Sequence, residues 1–300
     1  MFSDAKPAAV PGPPRNSATV VLLREQTRGS LEVFLMRRHR GQSFMGGAHV
    51  FPGGRLDEAD CGPALLSRAR DFDGAKAKIK IQEPDLSDDL ALGLFFCAVR
   101  ELFEEAGVLL ACDSSGRIPT LADSGEAARF SGYRHALHEG KISLSEIAEK
   151  ENLRFPLDRL LPYSHWITPE IESKRFNTRF FLARLPEGQA AVHDDVELIE
   201  SVWLSPAAAL AQNTSGKILL MPPTLKTLEE LSGFSGTDAL FAATLQKRLY
   251  PILPQAFSLE GGFGVKLPHD PEYAIAGYRQ PPRPGESSRV IFQNGRWRAA

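Results

Sequence analysis

The stretch "AVRELFEEAGVLL", residues 98–110, sets Arg100, Glu101, Glu104 and Glu105 into an otherwise apolar segment. Wound as a helix at about 100° per residue, the three glutamates share an arc of about 100°. That arc lies beside an apolar face of Ala91, Phe95, Ala98 and Leu102. Like charges three and four positions apart repel on a helix, so arginines, solvent or metal ions must offset them. Three carboxylates converging at i, i+3 and i+4 suit a hard divalent cation such as Mg²⁺ or Mn²⁺, which takes oxygen ligands and water. The other reading is a solvated helix end, although glutamates near a C-terminus oppose the helix macrodipole.

Such a site needs a rigid helix and a sheet to hold it. The pattern predicts the helix over about 88–106, with Gly107 where a C-terminus wants a left-handed residue. "SATVVLLRE" (17–25) and "LEVFLMRR" (31–38) are β-branched, apolar runs that read as a hairpin or two nearby strands. "AHVFPGG" (48–54) reads as a short strand broken by Pro52, Gly53 and Gly54. Residues 61–91 are polar and irregular, with Lys76, Lys78 and Lys80 available to meet phosphate; 113–155 read as a loop and a short helix. Strand character returns at 160–169, 174–185 and 197–204, and helices follow from Ser205-Pro206 and over 222–231 and 238–250. The Pro/Gly-rich tail ends in "RVIFQNGRWR", where Asn294-Gly295 signals a tight hairpin. The expected fold class is mixed α/β.

"FPGG" (51–54) followed by "RELFEEAGV" (100–108) resembles the signature of the Nudix hydrolase superfamily. That signature is Gly, five residues, Glu, seven residues, then Arg-Glu-U-x-Glu-Glu-x-Gly-U, with U apolar. Its second half matches at Arg100, Glu101, Leu102, Glu104, Glu105, Gly107 and Val108; its first half begins at Gly54 but carries Asp60 in place of the first glutamate. Gly54 and Arg100 are 46 positions apart where the unbroken signature has 14, so about 32 residues are inserted. Loop closure tolerates that, at about 0.6 kcal/mol per doubling of length. The insertion, with "HWITPE" and "KRFNTRFF", also resembles the coenzyme A diphosphatase-like branch, although "FLMRR" lacks that branch's threonine.

The resemblance implies an α/β/α sandwich around a mixed sheet, with helical insertions and a C-terminal helical and loop extension. It covers a Nudix domain (17–232, insertions about 61–91 and 113–155); the Pro/Ala-rich start reads as a flexible leader (1–16) and 233–300 as an extension packed on the same domain. It also implies that Glu101, Glu104, Glu105 and the Gly54 carbonyl bind Mg²⁺ or Mn²⁺, with Arg100 orienting a glutamate. The implied reaction is hydrolysis of a nucleoside diphosphate linked to another group: coenzyme A or acyl-coenzyme A, giving 3′,5′-ADP and (acyl-)phosphopantetheine. ADP-ribose or an NADH-type dinucleotide is the alternative substrate. An inactive ligand-sensing or scaffold module is the alternative of another class.

In "KRFNTRFF" a strand would put Arg175, Asn177 and Arg179 on one side, as a phosphate clamp or as an ordinary basic face. Arg38 is a further candidate for phosphate. His165-Trp166 fits base stacking or a buried pair, and Glu200 a late metal ligand or base, or an exposed strand residue. Cys97 reads as a small core residue.

The formal net charge of −2 and 24% charged residues give no reason to expect nucleic acid or an acidic membrane as partner. The apolar run near Leu90–Val99 is too short to span a bilayer. Three cysteines without metal-type spacing suit a reducing cytoplasm. The expected partner is a small coenzyme A-like diphosphate, with a homodimer left open.

Overall fold

The computed structural model describes residues 12–25, 30–39, 41, 46–121, 124–193 and 198–300, so most of the expected leader, residues 1–11, lies outside the described residues. In chain order the elements begin β1 (Arg15–Glu25), β2 (Leu31–Arg38), β3 (His49–Val50), β4 (Gly53–Arg55), a 3₁₀ turn (Glu58–Cys61), α1 (Pro63–Leu66), α2 (Gly74–Ile81) and α3 (Asp88–Ala106). Then come α4 (Ser124–His138), α5 (Leu144–Lys150), β5 (Leu161–Ile167), β6 (Phe176–Arg184), β7 (Leu198–Leu204), α6 (Pro206–Thr214), α7 (Pro222–Leu231) and α8 (Thr237–Leu245). Strands β8 (Pro251–Ile252), β9 (Gln255–Leu259), β10 (Gly262–Lys266), β11 (Arg289–Gln293) and β12 (Arg296–Ala299) complete the described chain.

The main sheet runs β3-β2-β1-β6-β5-β8, with β4 also on β1 and β7 also on β2. It is mixed: β1–β6 and β5–β8 are parallel and the other pairs antiparallel. Strand alternation sends Ala18, Val20 and Leu22 of β1 to the face that carries α3, and Val21 and Leu23 to the face that carries α6, α7 and α8. This is an α/β/α sandwich. No helix among the described residues is long and apolar enough to cross a membrane.

One irregularity of the sheet makes the site. β1 pairs with β2 only at residues 23–25, while its residues 17–19 pair with β4. The sheet therefore opens between β1 and β2, and the chain from β3 to β4 fills the gap beneath α3. Ser87 caps α3 through its hydroxyl, and Gly107 ends it at φ +69°. The helix is buried nearly all round from Ala91 to Arg100, not along one face alone, because the inserted α1 and α2 cover its outer side. That excursion lies outside the sheet, but its lysines are occupied. Lys76 and Lys80 donate to the carbonyls of Asp71 and Asp158, and Lys78 pairs with Asp88.

Two segments hold more order than their sequences suggest. Residues 113–155 contain two helices, the second opened by a Ser143–Glu146 capping box. The tail, expected to be helical and loop-like, instead builds a second antiparallel sheet, β12-β11-β10-β9. The long connection 267–288 separates its strands and hides their pairing. Val265, Val290 and Trp297 bury it against the main domain, and Asn213 links Trp297 O to Leu220 N–H. The Asn294-Gly295 hairpin is as expected, with both residues at positive φ.

Asp270 ties the long connection to β11 by accepting from the Arg289 guanidinium and the Ser288 hydroxyl. Burial opposes its ionisation, but these donors outweigh burial and hold the carboxyl at about 2, against an ordinary 3.8. A depressed folded-state pKa contributes stability that is present above the unfolded value and lost on acidification. Thermal unfolding followed from pH 5 to pH 2 should therefore show a loss between about pH 4 and 2 that Asp270→Asn removes. Identical pH profiles for the two proteins would rule out this anchor.

Candidate active site

The two halves of the split signature meet. β4 lies on β1 with Gly54 opposite Ala18 and Gly53 opposite Thr19, and α3 packs over both strands. The Gly53 N–H donates to Glu105 Oε2 at 2.7 Å, and the Cys97 thiol lies 3.7 Å from the Gly54 carbonyl. A Cβ on Gly54 would stand 2.4 Å from Glu101 Oε1. A Cβ on Gly53 would meet backbone instead, 2.4 Å from Ala18 O. Each glycine is required by a close approach, one to a carboxylate and one to the neighbouring strand.

Arg100, 8% exposed, is the hub. Its Nε and Nη2 form a fork on Asp60, at 2.8 and 3.0 Å, and Nη2 also donates to Arg55 O at 2.9 Å. Its Nη1 lies 2.6 Å from Glu104 Oε2 and 2.9 Å from Glu101 Oε1. Each donor of the guanidinium faces an oxygen. Asp60 is fully buried and closes the 3₁₀ turn by accepting from its own N-cap, the Asp57 N–H, at 2.9 Å. The acid that departs from the signature thus holds the arginine.

Four carboxylates, Asp57, Asp60, Glu101 and Glu104, lie within 3.9 Å of this one guanidinium, and Glu105 stands on the same helix turn. Burial pushes the Glu101 carboxyl up to about 7; Arg100 pulls it down and the Glu104 charge raises it again. Burial also raises Glu104, against the pull of Arg100. The cluster carries more negative charge than its own cation balances.

The remaining candidates lie elsewhere or are engaged. Arg179, 3% exposed, pairs through two nitrogens with Glu83 of the first insertion, at 2.9 and 2.6 Å, and donates to Asn16. It is committed to holding the insertion on the sheet and is not free to clamp phosphate. Arg175 donates to the carbonyls of Thr168 and Gly12. Arg38 follows Phe34 and Met36, which face the α3 layer, and its buried Nε has no partner among the described residues. His165 bonds Asn177, and Trp166 is part of the core on the opposite face. Glu200 is an exposed strand residue paired with Arg37, and Cys97 is fully buried. Glu83 and the roles of Asp60 and Arg134, described below, carry no signal in the sequence, because their partners lie 30 to 96 positions away.

A family model for the NUDT19 Nudix domain matches residues 14–231. The chain belongs to the NUDT19 Nudix domain family. The acyl-coenzyme A diphosphatase NUDT19 of Xenopus laevis is 24% identical over 303 residues, covering 90% of this chain and 78% of that protein. The human protein of the same name is 29% identical over 274 residues, covering 80% and 72%. The crystal structure of a NUDIX hydrolase from Alicyclobacillus acidocaldarius superimposes with a TM-score of 0.64 at 26% identity, over 78% of this chain and 97% of that one.

Nudix hydrolases generally need divalent metal ions, so the fit of this Nudix site to one can be asked. Among the described residues no three His, Cys, Asp or Glu side chains stand ready as a cage. Glu101 and Glu104 lean on Arg100, and Glu105 on the Gly53 N–H. The donor set fits in its chemistry: hard oxygens in excess negative charge, two of them held above their ordinary pKa, around a glycine cradle that a Cβ would fill.

The two glycines should separate function from folding. Gly54→Ala presses on the movable end of Glu101, so its melting temperature should stay within a few degrees while metal-dependent turnover collapses. Gly53→Ala presses on backbone and should cost about 1–3 kcal/mol of stability. Equal stability losses in the two would refute this division. For the insertion anchor, Arg179→Ala should destabilise by about 3–5 kcal/mol through the orphaned Glu83, and the double variant with Glu83→Ala by less than the two singles summed. Additive losses in denaturant unfolding would show that the pair is not coupled.

Proposed function

We propose that this chain hydrolyses the diphosphate of coenzyme A or an acyl-coenzyme A, releasing 3′,5′-ADP and (acyl-)phosphopantetheine. The observation that carries the reading is the closure of the split signature, with Gly53 and Gly54 against Glu105 and Glu101 across a long insertion. The names of the relatives supply its substrate class. Mg²⁺ or Mn²⁺ is the proposed cofactor, held by Glu101, Glu104, Glu105 and the Gly54 carbonyl. When bound, it supplies Lewis-acid neutralisation of charge on the diphosphate.

The protein's own groups do the rest. Arg100 keeps Glu101 and Glu104 together at a fixed distance, at the cost of burying its charge among acids. Asp60 fixes Arg100 from the far side. Glu105 locks the glycine loop beside the acids through the Gly53 N–H. Arg38, whose buried Nε has no partner among the described residues, lies on the α3-facing side of β2 and is the arginine proposed to take a substrate phosphate. Arg175 is a second, weaker candidate, and Arg179 drops out of the substrate-binding set because Glu83 already holds it. Three unpaired cysteines support a reducing, cytoplasmic setting.

The test is purified protein with Mg²⁺ or Mn²⁺ against coenzyme A, acyl-coenzyme A, ADP-ribose and NADH, with the products identified. Coenzyme A-type substrates should lead, and excess EDTA should abolish turnover. Glu104→Gln and Glu105→Gln keep the shape but remove a charge, and each should lower kcat by about 100-fold or more while the protein stays folded. Preference for ADP-ribose or NADH would replace the substrate. Absence of turnover on every compound would favour a sensing module, and near-normal rates in both variants would reject the acid assignment.

A further inference from the structure

The last four carbonyls of a helix have no partner within it. At the end of α3 all four are accounted for. Phe103 O accepts from Gly107 N–H at 3.0 Å, and Ala106 O from Val192 N–H at 2.9 Å. Glu104 O and Glu105 O both accept from one side chain, Arg134, through Nε and Nη2, each at 2.8 Å. The same Nη2 reaches Val192 O at 2.9 Å. Arg134 therefore joins the last turn of the acidic helix to the 191–193 segment, and it comes from α4 of the second insertion.

Three further observations point the same way. Gly107 makes room for the guanidinium, since a Cβ there would lie 2.9 Å from Arg134 Nη1. The signature glycine thus serves a tertiary cap as well as its own left-handed φ. His138, one turn along the same side of α4, acts electrostatically on the Glu104 carboxyl. Beyond it Leu137, Gly140 and Lys141 join Arg100 and Glu104 around a cavity of about 300 Å³. Two glutamates in a last turn oppose the helix dipole, and a cation bonded to the terminal carbonyls offsets both.

We propose that Arg134 is a positioning residue of the acidic site. The second insertion supplies it as a cap that fixes the last turn of α3, so that Glu104 and Glu105 present their carboxylates to a divalent cation in one geometry. This rests on the metal-dependent reading above. Groups that orient ligands from behind are typically worth 10–100-fold in metal affinity or activity.

The experiment measures Mn²⁺ binding to substrate-free protein by the paramagnetic resonance of free Mn²⁺, alongside kcat and KM. The proteins are wild type, Arg134→Ala, Arg134→Gln, Arg134→Lys and Arg129→Ala. Arg129 pairs with Glu151 elsewhere on α4 and serves as the control for loosening that helix. Arg134→Ala should weaken Mn²⁺ binding and lower kcat by about 10–100-fold, with little change in KM. Arg134→Lys, which restores charge but cannot span two carbonyls, should recover part of both, and Arg129→Ala should bind Mn²⁺ as wild type does. Wild-type Mn²⁺ affinity in Arg134→Ala would overturn the proposal, whatever its melting temperature; should that variant not fold, wild-type affinity in Arg134→Gln overturns it equally. An equal loss in Arg129→Ala would also overturn it. Failure of the wild-type protein to bind Mn²⁺ would remove the metal reading itself, a result distinct from intact binding that ignores Arg134.

Discussion

A single buried cation among four acids organises this protein. Arg100 sits where α3, the 3₁₀ turn and β4 meet, and its contacts to Asp60, Glu101, Glu104 and the Arg55 carbonyl come from all three. Removing such a group would leave buried carboxylates facing one another, which is why ion pairs of this kind are far costlier to break than they are worth as a net gain. The repulsion between glutamates on one helix turn is thus offset from within the protein, although not fully. Burial still holds Glu101 at about 7. The site is stable enough to fold and short of positive charge, a combination suited to a group that binds and completes it.

The two insertions interrupt the sequence of the site but not its geometry. The first leaves after Gly54 and returns at the start of α3, covering the outer face of the helix and pinning itself to the sheet through Glu83 and Arg179. The second sends α4 back to the other end of the same helix, where Arg134 takes the carbonyls of Glu104 and Glu105. Helix α3 is therefore enclosed along its length and held at both ends, by Ser87 at the first and by Arg134 with Val192 at the last. From Ala91 to Val99 its apolar residues run around the whole circumference, so one apolar stripe marks the span of the helix but does not show that its other side is covered as well.

Much of the fold was legible in local patterns. The span of α3, the hairpin partners β1 and β2, the strands β5 to β7 and the Asn294-Gly295 turn all follow from periodicity and turn chemistry. The C-terminal sheet was not legible, because its strands are short and the 267–288 connection parts β10 from β11. Arg179 shows the limit for single residues. Alternation along a strand assigned its face, yet it could not say that an acid 96 positions earlier would already be bound there.

The sequence by itself determined the helix and its ends, the glycine turn, and the set of acids that makes the chain recognisable as a Nudix protein, since each depends on residues within a few turns of one another. The tertiary structure alone decided which charge serves which. It gave Asp60 to Arg100, Glu83 to Arg179 and Arg134 to the carbonyls of Glu104 and Glu105, over separations of 40, 96 and 30 positions. The physical reason is that a charged side chain carries no mark of its partner. Its sign and reach are local properties, whereas the oxygen it meets is fixed only once the insertions have folded back onto the helix and burial has made every unpaired charge costly.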